Sequence, residues 1–147
     1  MSSVSIQAVS RVFETAKGQR TQALQPVDFE VKDNDFVTIL GPSGCGKSTL
    51  LRIVAGLDHA TSGRVLLDGV PVEGPGADRG MVFQSYTLFP WLTIEQNIRF
   101  GLRERGMPEA QQKERAAYFI AKVGLRGFEQ HFPKQLSGGM QQRTAIA

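Results

Sequence analysis

The chain has 147 residues, of which 41% are hydrophobic and 21% charged, with a formal net charge of +3. That balance excludes a disordered polymer and describes a soluble globular protein long enough for one domain and its core. The basic residues are scattered rather than clustered, so composition gives no support for nucleic-acid binding. No stretch approaches the ~20 apolar residues of a membrane-spanning helix, and the first residues carry no basic-then-apolar leader pattern. Cys45 is the only cysteine, which rules out an internal disulfide and fits a cytosolic setting.

Residues 4–13 alternate, with Val4, Ile6, Ala8 and Val12 on one face and Ser5, Gln7 and Val9 on the other. This predicts a strand with one wet side. Residues 17–20 are a polar hairpin tip. Val27, Phe29 and Val31 then alternate with Asp28, Glu30 and Lys32, predicting a second, antiparallel strand. Residues 35–40 are apolar and β-branched, which predicts a strand buried on both faces and belonging to a different sheet. A helical period follows over residues 49–55, with Gly56 as its stop. Residues 64–69 read as a short strand and turn, and Gly74, Pro75 and Gly76 as a loop. Met81, Val82 and Phe83 read as a short strand ending at Gln84. Thr93 and Gln96 form a capping-box pattern that opens a helix to about Arg105. Pro108 suits the first turn of another helix, running to Val123 and stopping at Gly124.

Two segments carry chemistry. Residues 41–48 read Gly-Pro-Ser-Gly-Cys-Gly-Lys-Ser, the form G-x-x-x-x-G-K-[ST]. Gly41, Gly44 and Gly46 let the backbone curl so that N–H groups face phosphate oxygens. Lys47 brings a point charge to the β- and γ-phosphates, and Ser48 offers a hydroxyl to Mg²⁺. Pro42, Ser43 and Cys45 occupy the variable positions, and Thr49 continues into the helix whose positive end faces the anion. Cys45 reads as loop packing rather than as a catalytic thiol. Further on, residues 136–143 read Leu-Ser-Gly-Gly-Met-Gln-Gln-Arg. Ser137 is an N-cap residue, Gly138 and Gly139 free the backbone for close approach to an anion, and Met140 onward can run as a helix.

On the loop at 41–48, Gln84 and the run at 136–143, the chain resembles the ATP-binding subunits of ABC transporters over essentially its whole length. The resemblance implies an α/β fold, a P-loop NTPase with an N-terminal antiparallel β subdomain and a helical subdomain. Its expected parts are residues 1–34 (mainly antiparallel β subdomain), 35–84 (the P-loop portion of the core and β subdomain) and 85–147 (helical subdomain, ending in the signature helix). The implied cofactors are ATP and Mg²⁺. Lys47, Gln84 and Ser137 would be the catalytic group; Ser48 and Gln84 would hold the metal. Leu136 to Met140 resembles the signature that contacts the γ-phosphate of ATP held by a second subunit, and Gln84 resembles the Q-loop glutamine. Phe13 stands where the family places an aromatic that stacks on adenine; a side chain filling the strand's core face is the alternative. The implied partners are a second ATP-binding subunit in a homodimer, permease subunits docking through residues 86–91, which include Tyr86 and Trp91, and indirectly a periplasmic or extracellular solute-binding protein. Nucleic acid is not among them. The implied location is peripheral, on the cytoplasmic face of the inner membrane. The wording of residues 89–93 is most similar to importers of nitrate, sulfonates or taurine.

The family's Asp-Glu pair and switch histidine are not among these residues. His59 and His131 do not replace the latter and are expected at the surface. From this the core parallel sheet is expected to be incomplete, and the chain, read as an incomplete gene product or a fragment, to turn over little nucleotide alone. The alternatives are a non-transport ABC ATPase acting on nucleic acid or the ribosome, disfavoured by the short spacing from Gln84 to Leu136, and a nucleotide-binding remnant.

Overall fold

Two compact units, Met1–Met81 and Val82–Ala147, make up the computed structural model, which describes residues 3–85 and 87–147. Tyr86 of the expected docking region lies outside the described residues.

The first unit holds β1 (Val4–Glu14), β2 (Arg20–Val31), α1 (Lys47–Val54), β3 (Ser62–Leu67) and β4 (Val70–Pro71). The strands form one antiparallel sheet in the order β2-β1-β3-β4. The alternation over residues 27–31 behaves as expected: Val27, Phe29 and Val31 are half-buried, while Asp28 and Glu30 face water; Leu24, of the opposite parity, is buried. In β1 the period breaks. Ile6 and Val9 are both buried and Ala8 is exposed, the reverse of the expected placement of Ala8 and Val9. The cause is a bulge. Ala8 adopts φ 47°, the register shifts between Ile6 and Val9, and the extra residue moves Val9 to the inner face. Asp28 Oδ1 accepts from the freed Ala8 N–H at 2.6 Å. On β3, Gly63 lies so close to the Ala8 carbonyl that a methyl group there would overlap it.

The inner face of this sheet contributes Ile6, Val9, Leu24 and Val65 to a core that α1 completes with Leu50 and Ile53. Burying two such side chains stabilises the seating of α1 by roughly 3–6 kcal/mol. The sheet therefore exists, for the site, as the platform on which α1 rests.

Residues 35–40 are not a strand. Phe36 is 96% exposed and Leu40 86%; Ile39 alone packs against the core. A strand buried on both faces needs ladder partners and cover on both sides, and no described residues supply them. The same reason holds for residues 81–83, also expected as a strand, where Val82 is exposed and no ladder forms.

The second unit contains α2 (Ile94–Glu104), α3 (Glu109–Lys122), a 3₁₀ turn (Pro133–Gln135) and α4 (Gly138–Ile146). The capping box forms as expected: Thr93 Oγ1 accepts from Gln96 N–H and Gln96 Oε1 accepts from Thr93 N–H. Gly124, at φ 69°, ends α3, and the Arg143 guanidinium donates to the Val123 carbonyl at 2.9 Å. Ile94, Ala116, Ile120, Leu125 and Leu136 form the core. His131 is not a surface residue: it is half-buried, its ring lies 5.1 Å from that of Phe128, and its Nδ1 is buried without a hydrogen-bond partner. His59 is exposed, as expected.

Asn97 organises the aromatic loop before α2. Its Nδ2 donates to the carbonyls of Phe89, Leu92 and Thr93, and its Oδ1 accepts from Phe89 N–H. Replacing Asn97 with Ala strands these groups, so Asn97→Ala should destabilise the second unit by about 1–3 kcal/mol. Chemical denaturation followed through Trp91, the single tryptophan, measures this; an unchanged midpoint and emission would refute it.

Candidate functional site

The head of α1 is defined by Gly46. This residue is the N-cap at φ 97°, in the left-handed region, where a side chain is strained. An added Cβ would lie 2.5 Å from the Ala23 carbonyl oxygen and 3.0 Å from Leu24 Cδ1. Backbone of β2 thus fits directly beneath the turn, and only glycine permits both the dihedral and the approach. Gly44 is also left-handed, at φ 83°, but open space surrounds it.

From these two turns the loop curls as residues 41–48 predict. Gly41, Pro42, Ser43, Gly44 and Cys45 are exposed, as is Ser48; Gly46, Lys47 and Thr49 are partly buried. Lys47 folds back across the loop. Its Nζ donates to the carbonyls of Gly41 at 2.6 Å and Pro42 at 2.7 Å, with Cys45 Sγ at 3.4 Å. The ammonium is held at the loop and is not packed inside the protein. Helix α1 has no side-chain cap and no acidic residue in its first turn. Its first N–H groups therefore lack intrahelical partners, and its positive end is unshielded.

This donor set fits a polyphosphate: an ammonium, helix-start amides without intrahelical partners, two left-handed turns and no acidic residue in the first turn of α1. It does not by itself fit a bare cation. Among the described residues no three His, Cys, Asp or Glu side chains come together to hold a metal. The exposed Ser48 hydroxyl fits Mg²⁺ that arrives with phosphate oxygens and water as its other ligands.

Phe13, in the same unit, is 43% exposed near the end of β1, so it does not fill the core face. The guanidinium carbon of Arg11 lies 4.5 Å from its ring centroid.

Gln84, Ser137, Gly138 and Gly139 belong to the second unit. Gln84 is exposed in irregular backbone. Ser137 caps α4, accepting from Met140 N–H at 3.4 Å. Leu136 is buried in the core, while Ser137 and Gly139 face solvent. Gln141 Nε2 donates to the Leu136 carbonyl at 3.1 Å, fixing the corner from behind. The apolar anchor thus holds an outward Ser-Gly-Gly turn at a helix start that, unlike that of α1, has a side-chain cap. Sequence reading missed Asn97, Gln141 and Arg11. Only Arg11 carried a usable signal, being two residues from Phe13 and so on the same strand face.

Around Asn97, the Phe89 ring lies tilted against those of Phe100, at 4.4 Å, and Trp91, at 5.6 Å, the latter 70% exposed. Beside them Leu92, Phe100 and Arg103 line part of a cleft of about 180 Å³.

A family model described as ABC transporter matches residues 24–147. An uncharacterized ABC transporter ATP-binding protein, MJ0412 of Methanocaldococcus jannaschii, is 56% identical over 97% of this chain. The nitrate import ATP-binding protein NrtD of Synechocystis is 49% identical over 95% of it, and the taurine import ATP-binding protein TauB of Pelagibacter ubique 46% over 100%. The chain spans about half the length of these relatives: 53%, 52% and 56% respectively. Among solved structures, the ATP-binding cassette MJ0796, dimeric and bound to ADP and Pi, matches with a TM-score of 0.86 at 34% identity, covering 97% of this chain and 67% of that one.

Gly46→Ala should cost about 1–3 kcal/mol from backbone strain, with a further penalty as β2 gives way. Thermal or denaturant unfolding of the variant checks this; a loss no larger than that of Gly44→Ala, which has strain but no clash, would contradict the seating of the turn on β2.

Proposed function

The chain belongs to the ABC transporter family, and on that premise we propose that it carries the phosphate-gripping and signature parts of the ATP-binding subunit of an importer. The observation that supports this most is the Lys47 ammonium held over an open, glycine-turned loop at an uncapped helix start. In this reading Gly41 to Thr49 wrap the triphosphate, and Lys47 exchanges the Gly41 and Pro42 carbonyls for β- and γ-phosphate oxygens. The exchange replaces neutral acceptors with charged ones, and charge-assisted hydrogen bonds are roughly twice as strong. Phe13 offers a stacking face to adenine. Ser48 and Gln84 are the residues that would hold Mg²⁺, which when bound supplies charge neutralisation at the phosphates.

Ser137, Gly138 and Gly139 cover the γ-phosphate of ATP held by a second copy, so two molecules close head to tail over two nucleotides. Closure excludes water except at the reacting position. Hydrolysis then rests on positioning and on the charge of Lys47 and the amides. The family's Asp-Glu pair is not among these 147 residues, so these residues alone should bind nucleotide weakly and turn it over little. The loop around Phe89 and Trp91 receives the permease subunits, which places the protein peripherally at the cytoplasmic face of a membrane; among the described residues no helix is long and apolar enough to cross one. The names of the relatives favour a nitrate-, sulfonate- or taurine-like solute, delivered by a solute-binding protein.

Two variants test the shared site. Lys47→Ala should weaken Mg·ATP binding at least about tenfold, the value of one charge-assisted contact, measured by calorimetry. Ser137→Arg should leave binding to the loop within about twofold yet prevent ATP-dependent dimer closure and transport. Normal transport by a complex carrying Ser137→Arg would refute the shared site.

A further inference from the structure

The base end of the site has a support that the phosphate motif does not include. Arg11 lies over the ring of Phe13, its guanidinium carbon 4.5 Å from the centroid. Its Nη2 is in turn tied to Asp58 Oδ1 at 2.7 Å, and both side chains are about four-fifths buried (23% and 20% exposed). Asp58 lies on the loop that leaves α1, the helix that begins at the phosphate loop. That loop is laced to β1 at neighbouring points. Thr61 N–H donates to the Ser10 carbonyl at 2.8 Å, and Thr61 Oγ1 accepts from Val12 N–H at 3.0 Å. Cover on one ring face comes from a cation that is itself pinned. Phe13 is still 43% exposed.

We infer that Arg11, held by Asp58, is a positioning residue that fixes Phe13 as a one-sided platform for the nucleobase. This rests on the proposed stacking of adenine on Phe13. The physics is preorganisation. A free phenyl group at a strand end samples several rotamers, and stacking would have to freeze them. A guanidinium on the back face favours one orientation before any nucleotide arrives. Because Asp58 follows α1, the same pair sets the distance between the base platform and the phosphate-binding end of that helix. The ion pair is mostly buried, so removal of one member leaves the other uncompensated and the platform loose.

The test compares two probes on the intact chain by calorimetry: Mg·ATP, which has a base, and Mg·tripolyphosphate, which has none. Arg11→Gln should weaken ATP binding about fivefold, the equivalent of one cation–π contact, and leave tripolyphosphate binding unchanged. Unchanged tripolyphosphate binding also reports that the fold is intact. Arg11→Lys should recover most of the loss, and Asp58→Asn should show a smaller loss with the same selectivity. Equal weakening of both probes would mean that Arg11 is merely structural and would overturn the inference, as would no change in either. Phe13→Ala separates the two layers. If it leaves ATP binding intact, stacking on Phe13 fails and the inference fails with it. If it weakens ATP alone while Arg11→Gln does not, only the role of Arg11 falls.

Discussion

The close approach of β2 to Gly46 is the constraint on which the rest of the first unit depends. A helix can present bare amides to an anion only if something other than its own cap fixes its first turn. Here the fixing is done from outside. The Ala23 carbonyl and the Leu24 side chain occupy the space a Cβ would need at Gly46, and Leu50 and Ile53 hold the helix body in the core. With the turn secured by packing, the N–H groups of the loop and the Lys47 ammonium need no internal acid to hold them. They remain available to an external one.

The second unit differs in that α4 has its own cap, Ser137, but it too is backed from behind. Leu136 is sunk in a helical core and Gln141 bonds its carbonyl, so the Ser-Gly-Gly corner beyond it is held by its neighbours and is open in front. Each unit thus carries a glycine-containing helix start held from behind, uncapped at α1 and capped by Ser137 at α4. Two half-sites of that kind suit a nucleotide gripped by one chain and covered by another. The solved cassette MJ0796, matched over 97% of this chain, is described as a dimer bound to ADP and Pi.

Much of this was legible in the sequence because the deciding signals are local. The Thr93 box, the Gly124 stop, the Ser137 cap and the turns at Gly44 and Gly46 depend on a few adjacent residues, and all formed where the pattern put them. Failures came where the deciding partner is distant in sequence. Residues 35–40 and 81–83 have the apolar, β-branched texture of buried strands, but a strand exists only with a ladder, and texture says nothing about whether neighbours are present. Ala8 and Val9 exchanged faces because a bulge adds one residue to a period of two, and no side chain in β1 announces it. Its acceptor, Asp28, and its neighbour, Gly63, lie on other strands. His131 was misplaced for a related reason: it is half-buried, with its ring 5.1 Å from that of Phe128, through a turn that hydropathy does not encode.

The most direct measurement of the central claim is an amide-resolved NMR titration of the chain with Mg·ATP. The largest perturbations should fall on the N–H groups of Gly44, Gly46, Lys47 and Ser48, with the Lys47 ammonium released from the Gly41 and Pro42 carbonyls as it moves to phosphate. Saturable binding that leaves those four amides unperturbed, or Lys47 still bonded to the two carbonyls at saturation, would contradict it.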